Sequence, residues 1–158
     1  MMKIMFVCHG NICRSPMAEM ILKEMVRQRG IADRFVIASS ATSTEEIFGG
    51  RGNPIYPPAQ AILKRRGIPA EPHRAVQLTK ADYAAYDLII AMEQFNLRNM
   101  KPMTGSDLDK KVHLLLDFTD NPRDVSDPWY TGNFEQAFAD ITRGCEGLLA
   151  HLERQGML

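Results

Sequence analysis

The sequence predicts a doubly wound α/β fold: a four-stranded parallel sheet with helices on both faces and a phosphate-binding loop after strand 1. Three observations predict it. Four short apolar runs, Ile4–Val7, Phe35–Ala38, Leu88–Met92 and Val112–Leu116, are near-continuous rather than alternating. That is the pattern of parallel strands covered on both faces. Helical patterns lie between the runs, and alternation of strand and helix builds a parallel sheet. The first run ends in Cys8-His9-Gly10-Asn11-Ile12-Cys13-Arg14-Ser15-Pro16. This tight loop sits at the carboxyl end of a strand, where the sites of such folds lie.

Each element has its own signals. In the first helix Ser15 is available as the cap, and Pro16 suits the first position. Met17/Ala18, Ile21/Leu22 and Met25/Val26 then form a stripe at four-residue spacing, which Gly30 stops. After the second strand, Gly49-Gly50-Arg51-Gly52-Asn53-Pro54 marks a long irregular segment. A second helix is expected from near Pro58 to Arg66, ending at Gly67. Another irregular stretch, Asp117 to Gly132, closes on Asp127-Pro128-Trp129-Tyr130. Long irregular segments are often functional, so these two are expected to wall a site. The last helix begins near Asn133, with Gln136 placed as in a capping box. Its apolar positions Phe134, Phe138, Ile141, Cys145, Leu148 and Leu152 step by four and three.

Composition narrows the function classes. With 158 residues and 45% hydrophobic content, the chain is long enough for one core, so a single domain over 1–158 is expected. Nineteen basic and nineteen acidic side chains leave no basic excess, which argues against nucleic-acid or membrane partners. No apolar stretch is long enough to span a bilayer, and no secretory signal is visible at the N-terminus. The three cysteines do not form a disulfide scaffold, so a cytoplasmic, reducing setting is expected. Cys8 and Cys13 lack partners at zinc-site spacing, so neither metal nor cofactor is expected.

The loop carries chemistry. Backbone amides of His9, Gly10, Asn11, Ile12, Cys13 and Ser15 can converge on one anion, helped by the positive end of the helix dipole. The same field favours an anionic, nucleophilic sulfur at Cys8. Arg14 supplies a planar fork for two phosphate oxygens. A nucleophile, an anion cradle and a charge clamp are the parts of a covalent phosphoryl-transfer site. Cys-x5-Arg alone is a weak pattern, and a β–α turn with a buried Cys is the plain alternative. Its place after the first apolar run, with Gly10 and Asn11 suited to left-handed backbone, tightens it. A general acid is also required. On the residues alone Asp120, Asp124 and Asp127 compete, because Asp-Pro is a common turn starter.

Val7 to Pro16 resembles the signature loop of the low-molecular-weight protein tyrosine phosphatases. The resemblance continues through Ser39-Ser40-Ala41-Thr42-Ser43, through Gly67-Ile68-Pro69 with His73, and through Asp87-Leu88-Ile89-Ile90-Ala91-Met92 followed by Asn96-Leu97. Ser126-Asp127-Pro128-Trp129-Tyr130 resembles the family's acid loop. The resemblance implies metal-free hydrolysis of phosphotyrosine in protein substrates through a phosphocysteine on Cys8. It makes Arg14 the phosphate clamp and chooses Asp127 as general acid and base. It gives Ser15 a hydroxyl facing the Cys8 sulfur, and Asn11 a side chain that fixes the loop with Ser39 and His73. A surface role for His73 is the alternative. Phe48, Trp129 and Tyr130 are expected to flank the substrate ring, or the last two to plug the loop down. Cys13 is either loop packing or a redox partner of Cys8, and Cys145 sits on the core stripe.

The chain departs from the family in places. Glu45 falls near a position that is often aromatic, Glu93 replaces the usual Asp, and Arg74-Ala75-Val76 follows His73. The loop after the second strand is longer, with the Gly49–Gly52 stretch inserted. Three other readings compete. Phosphoarginine phosphatases share the loop but resemble it with Thr where Ile12 stands. Arsenate reductases need relay cysteines near the third strand, and Leu88–Met92 has none. A non-catalytic anion-binding or redox-sensing module would not need Cys8, Arg14 and Asp127 together.

Overall fold

The computed structural model describes residues 1–158. The chain runs β1 (Met2–Cys8), α1 (Arg14–Gln28), β2 (Phe35–Ala41), β3 (Ile47–Phe48), β4 (Arg51–Gly52) and α2 (Pro57–Arg65). It continues through α3 (Lys80–Ala85), β5 (Leu88–Ala91), α4 (Gln94–Thr104), β6 (Val112–Leu114), α5 (Pro128–Thr131) and α6 (Phe134–Arg154). Four strands form one parallel sheet in the order β2-β1-β5-β6. The chain leaves β1 toward β2 and later returns to the other side of β1 as β5. The order therefore reverses beside β1, and a crevice opens at its carboxyl end. The register there pairs Cys8 with Ala41 and Val7 with Ala91.

Strand β1 is apolar throughout because both its faces are covered. Ile4, Phe6 and Cys8 point into the larger core with α1, α2 and α6. Met5 and Val7 point into a smaller core with Leu78, Met100, Tyr83 and Leu97, from α3, α4 and the segment before them. Side chains alternate faces along a strand, so Cys8 falls on the side of α1.

Three local differences from the sequence reading have physical causes. The run predicted as strand to Leu116 pairs only to Leu114, and Leu115–Phe118 turns into a 3-10 helix. That turn drops Leu115 and Leu116 into the core beneath α6. Helix α1 begins at Arg14, one residue before Ser15. Ser15 is therefore inside the helix, not its cap, and its hydroxyl is free for another partner. Helices α3 and α4 lie in stretches without a long apolar stripe. Each opens with a reciprocal capping box instead: Thr79 with Asp82, and Glu93 with Asn96.

Helix α6 lies so close to the Leu115–Phe118 turn that two of its residues must be glycine. A Cβ at Gly147 would stand 2.2 Å from the Phe118 carbonyl oxygen, which is backbone and cannot step aside. Gly147→Ala is therefore expected to destabilise by about 1–3 kcal/mol, although Ala is the better helix former. The melting temperature should fall by about 2–4 °C per kcal/mol lost.

Candidate active site

The loop between β1 and α1 closes around the Cys8 sulfur. Asn11 N–H donates to it at 3.3 Å, Ser15 N–H at 3.4 Å, and Ser15 Oγ lies 3.0 Å away. Cys8 is only 3% exposed, so these are the partners of a nearly enclosed sulfur. The loop's carbonyls are spent on its surroundings: Cys8 on the Thr42 amide, His9 on Ser43 and Ile12 on Tyr56. Carbonyls taken up by neighbours leave amides for the concave side, which is how a backbone nest holds an anion.

Asn11 fixes this curl. Its φ is +59°, a left-handed backbone that Asn tolerates better than most residues. Its side chain is fully buried and fully used. Nδ2 donates to Ser15 Oγ and to Ser39 Oγ, both at 2.9 Å. Oδ1 accepts from Val76 N–H at 3.1 Å and faces His73 Nε2 at 3.1 Å. The same nitrogen lies 3.2 Å from the Asn11 carbonyl, so Nε2 carries the proton. Glu19, one turn along α1, completes the network unforeseen by sequence reasoning. It accepts from Ser39 Oγ at 2.6 Å and from Lys23 at 2.7 Å. Nothing in the apolar spacing marked it: Glu19 lies off the stripe, and only the fold buries it against Ser39.

Arg14 is 3% exposed, and its guanidinium faces three acceptors. Nη1 donates to the Val125 carbonyl at 3.0 Å, while Nη2 lies 3.2 Å from both Glu93 and Asp127. Burial works against the charge. The Cys8 sulfur, Glu93 and Asp127 outweigh it and hold the guanidinium above its ordinary range. Asp127 caps α5, where Oδ1 accepts from Trp129 N–H at 3.0 Å, leaving Oδ2 for Arg14. Asp124 is occupied elsewhere, accepting from Gln94 N–H at 3.1 Å.

The cleft above this floor has a volume of about 370 Å³. Trp129, Tyr130 and Tyr56 line one side, with Tyr56 and Trp129 rings 5.4 Å apart. Phe95 also lines the cleft, with its ring 5.9 Å from His9, as do Glu45 and Glu46. His9 Nε2 pairs with Glu45 at 3.0 Å. Phe48, expected beside the substrate, does not line the cleft and is 67% exposed. The reason is a tight hairpin. Gly49 and Gly50 both have positive φ and turn β3 onto β4, which puts Phe48 at the tip and Glu46 at the base. Tyr56 and Phe95 supply the aromatic surface instead.

Burial first, and the Cys8 sulfur next, push the Cys13 thiol up, so it is a neutral group beside the cleft. Cys145 is fully buried, and burial pushes its thiol up as well. No three His, Cys, Asp or Glu side chains stand close enough together to hold a metal ion.

Residues 3–158 match the family model described as low molecular weight phosphotyrosine protein phosphatase. The chain belongs to this family. It is similar to the low molecular weight protein-tyrosine-phosphatase YfkJ of Bacillus subtilis, with 37% identity over the whole of both chains. The YfkJ crystal structure superposes with a TM-score of 0.90 over 98% of this chain and 96% of that one. The human low molecular weight phosphotyrosine protein phosphatase is 36% identical over 92% of each chain. A Drosophila arginine phosphatase is more distant at 29% identity, with a TM-score of 0.84 over 96% of this chain and 98% of that one. This low-molecular-weight phosphatase lines part of its cleft with the acidic Glu45 and Glu46. It has no helix long and apolar enough to cross a membrane.

Proposed function

We propose that this phosphatase hydrolyses phosphotyrosine in cytoplasmic protein substrates, and small aryl phosphates, through a phosphocysteine on Cys8. The observation that carries this reading is the enclosed Cys8 sulfur. It receives hydrogen bonds from two loop amides beside Ser15 Oγ, in one cleft with Arg14, Asp127 and aromatic walls.

Phosphate enters by taking the place of Glu93 and Asp127 on Arg14, whose fork then holds two equatorial oxygens. The Cys8 thiolate attacks phosphorus, and the bond to the phenolic oxygen breaks. Asp127 gives its proton to that oxygen as it leaves. In the second half water attacks the phosphocysteine, Asp127 takes its proton, and the sulfur departs as thiolate with Ser15 Oγ donating to it. Ile12, Tyr56, Trp129 and Tyr130 favour an aromatic phosphoester. Phosphotyrosine, p-nitrophenyl phosphate, phosphoserine and phosphoarginine, assayed without added metal, test the substrate class. Turnover of the two aryl esters is expected; preference for phosphoarginine would overturn it.

Asp127→Asn tests the acid. kcat/KM for phenyl phosphate, whose leaving group needs the proton, should fall by about 10²–10³-fold. kcat/KM for p-nitrophenyl phosphate, which reports only formation of the phosphocysteine, should fall much less. If Asp124→Asn shows this dependence and Asp127→Asn does not, the acid lies elsewhere on the loop.

A further inference from the structure

The segment that carries Asp127 is tied to the body of the protein by an ion pair between the partly exposed Arg123 and the fully buried Asp140, which the reaction does not touch. Arg123 forks onto Asp140 of α6, Nη1 to Oδ2 at 3.0 Å and Nη2 to Oδ1 at 2.8 Å. Arg123 Nη1 also donates to the Asp124 carbonyl at 3.0 Å. Asp140 is fully buried, and Gln136 Nε2 donates to it at 2.8 Å. Gln136 was expected to complete a capping box at Asn133. Only half of that box forms, the Gln136 amide to Asn133 Oδ1 at 2.9 Å, because its side chain is spent on Asp140. Burial alone would raise the Asp140 carboxyl. Arg123, Gln136 and the Ser126 amide hold it below the usual carboxylate range.

One carboxylate on a long helix thus holds Arg123, which also binds the Asp124 carbonyl, three residues before Asp127. The segment is also held by Val125, which is buried in the core and accepts from Arg14 Nη1 at 3.0 Å, and by two backbone amide bonds. Val125 N–H donates to the Met92 carbonyl at 2.9 Å, and Asp124 accepts from Gln94. Stability is a poor reason to keep such a pair, because an ion pair with one partner in water contributes little, and a buried carboxylate can often be replaced together with its partner by apolar residues at little cost. A planar fork between two backbone stretches does something an apolar contact cannot: it fixes direction as well as distance. Proton transfer demands that. A misplacement of about 1 Å can cost about 10²-fold in rate.

We propose that Asp140, acting through Arg123 and the Asp124 backbone, positions the Asp127 carboxyl for proton transfer. It is a positioning residue and touches no reacting atom. The proposal rests on the reading of Asp127 as the acid. Its effect should be confined to the leaving group, because Val125, which faces Arg14, keeps its own bond to Met92.

Two variants test it: Asp140→Asn, and the paired Arg123→Met with Asp140→Leu, which removes both charges of the pair and is expected to fold. Turnover and KM are measured on phenyl phosphate and p-nitrophenyl phosphate, with thermal melts and Asp127→Asn in parallel. In both variants kcat/KM for phenyl phosphate should fall about tenfold more than kcat/KM for p-nitrophenyl phosphate. The paired variant should show this loss at a melting temperature near the parent's. A parental ratio of the two kcat/KM values in the folded paired variant overturns the proposal, whatever Asp140→Asn does. If Asp127→Asn shows the leaving-group effect and the paired variant does not, only this inference fails. If Asp127→Asn shows none, the acid assignment falls and takes this inference with it.

Discussion

Cys8→Ser is expected to give a folded protein that turns over p-nitrophenyl phosphate at least about four orders of magnitude more slowly than the parent. The reasoning starts from the loop. The sulfur takes two amide hydrogen bonds and stands against Ser15 Oγ, and a serine hydroxyl can take up the same partners. The curl of the loop does not depend on sulfur either. It depends on Asn11, whose four side-chain contacts reach Ser15, Ser39, His73 and Val76. What is lost is ionisation, because a hydroxyl stays protonated near neutral pH where a thiolate is the attacking form. Circular dichroism and a thermal melt check the fold, and a metal-free phosphatase assay checks the rate. Substantial activity in the folded variant would remove Cys8 from the mechanism.

Arg14→Lys is expected to cost about 10³-fold in turnover while keeping the positive charge. The guanidinium is buried and reaches the Val125 carbonyl with one nitrogen and Glu93 and Asp127 with another. An ammonium is a point charge and cannot span the two directions, nor can it hold two equatorial oxygens in one plane. Inhibition by inorganic phosphate should weaken in the same variant, since the resting protein already presents an anion clamp. Near-parental turnover in Arg14→Lys would mean that charge alone, not the fork, serves the transition state.

The parts of this site that were legible in the sequence are local. The strand, loop and helix from Ile4 to Met17 lie within one continuous stretch, so spacing alone brings Cys8 and Arg14 into one loop. Asp127 was one of three candidate carboxylates until resemblance chose among them. Asp124 is now seen capping the approach to α4, bonded to the Gln94 amide. The parts that were not legible are contacts between distant segments. Glu19 meets Ser39, Glu93 meets Arg14, and Asp140 meets Arg123 across 17 residues of chain. Each is a buried charge whose partner only the fold reveals. Ser15 and Phe48 were misplaced for smaller reasons. Helix α1 starts two residues earlier than Pro16 suggested, and a two-glycine turn shortens what looked like a long open loop.

The central claim is a covalent phosphoryl group on Cys8. Its most direct test is to quench the enzyme during turnover of p-nitrophenyl phosphate and map the peptides by mass under conditions that preserve a phosphorus–sulfur bond. Asp127→Asn is run beside the parent, because loss of the base slows breakdown of the intermediate. One phosphoryl group on the peptide containing Cys8, more abundant in Asp127→Asn, is the expected result. Continued turnover with the phosphoryl group on another residue, or on none in either protein, would contradict the account.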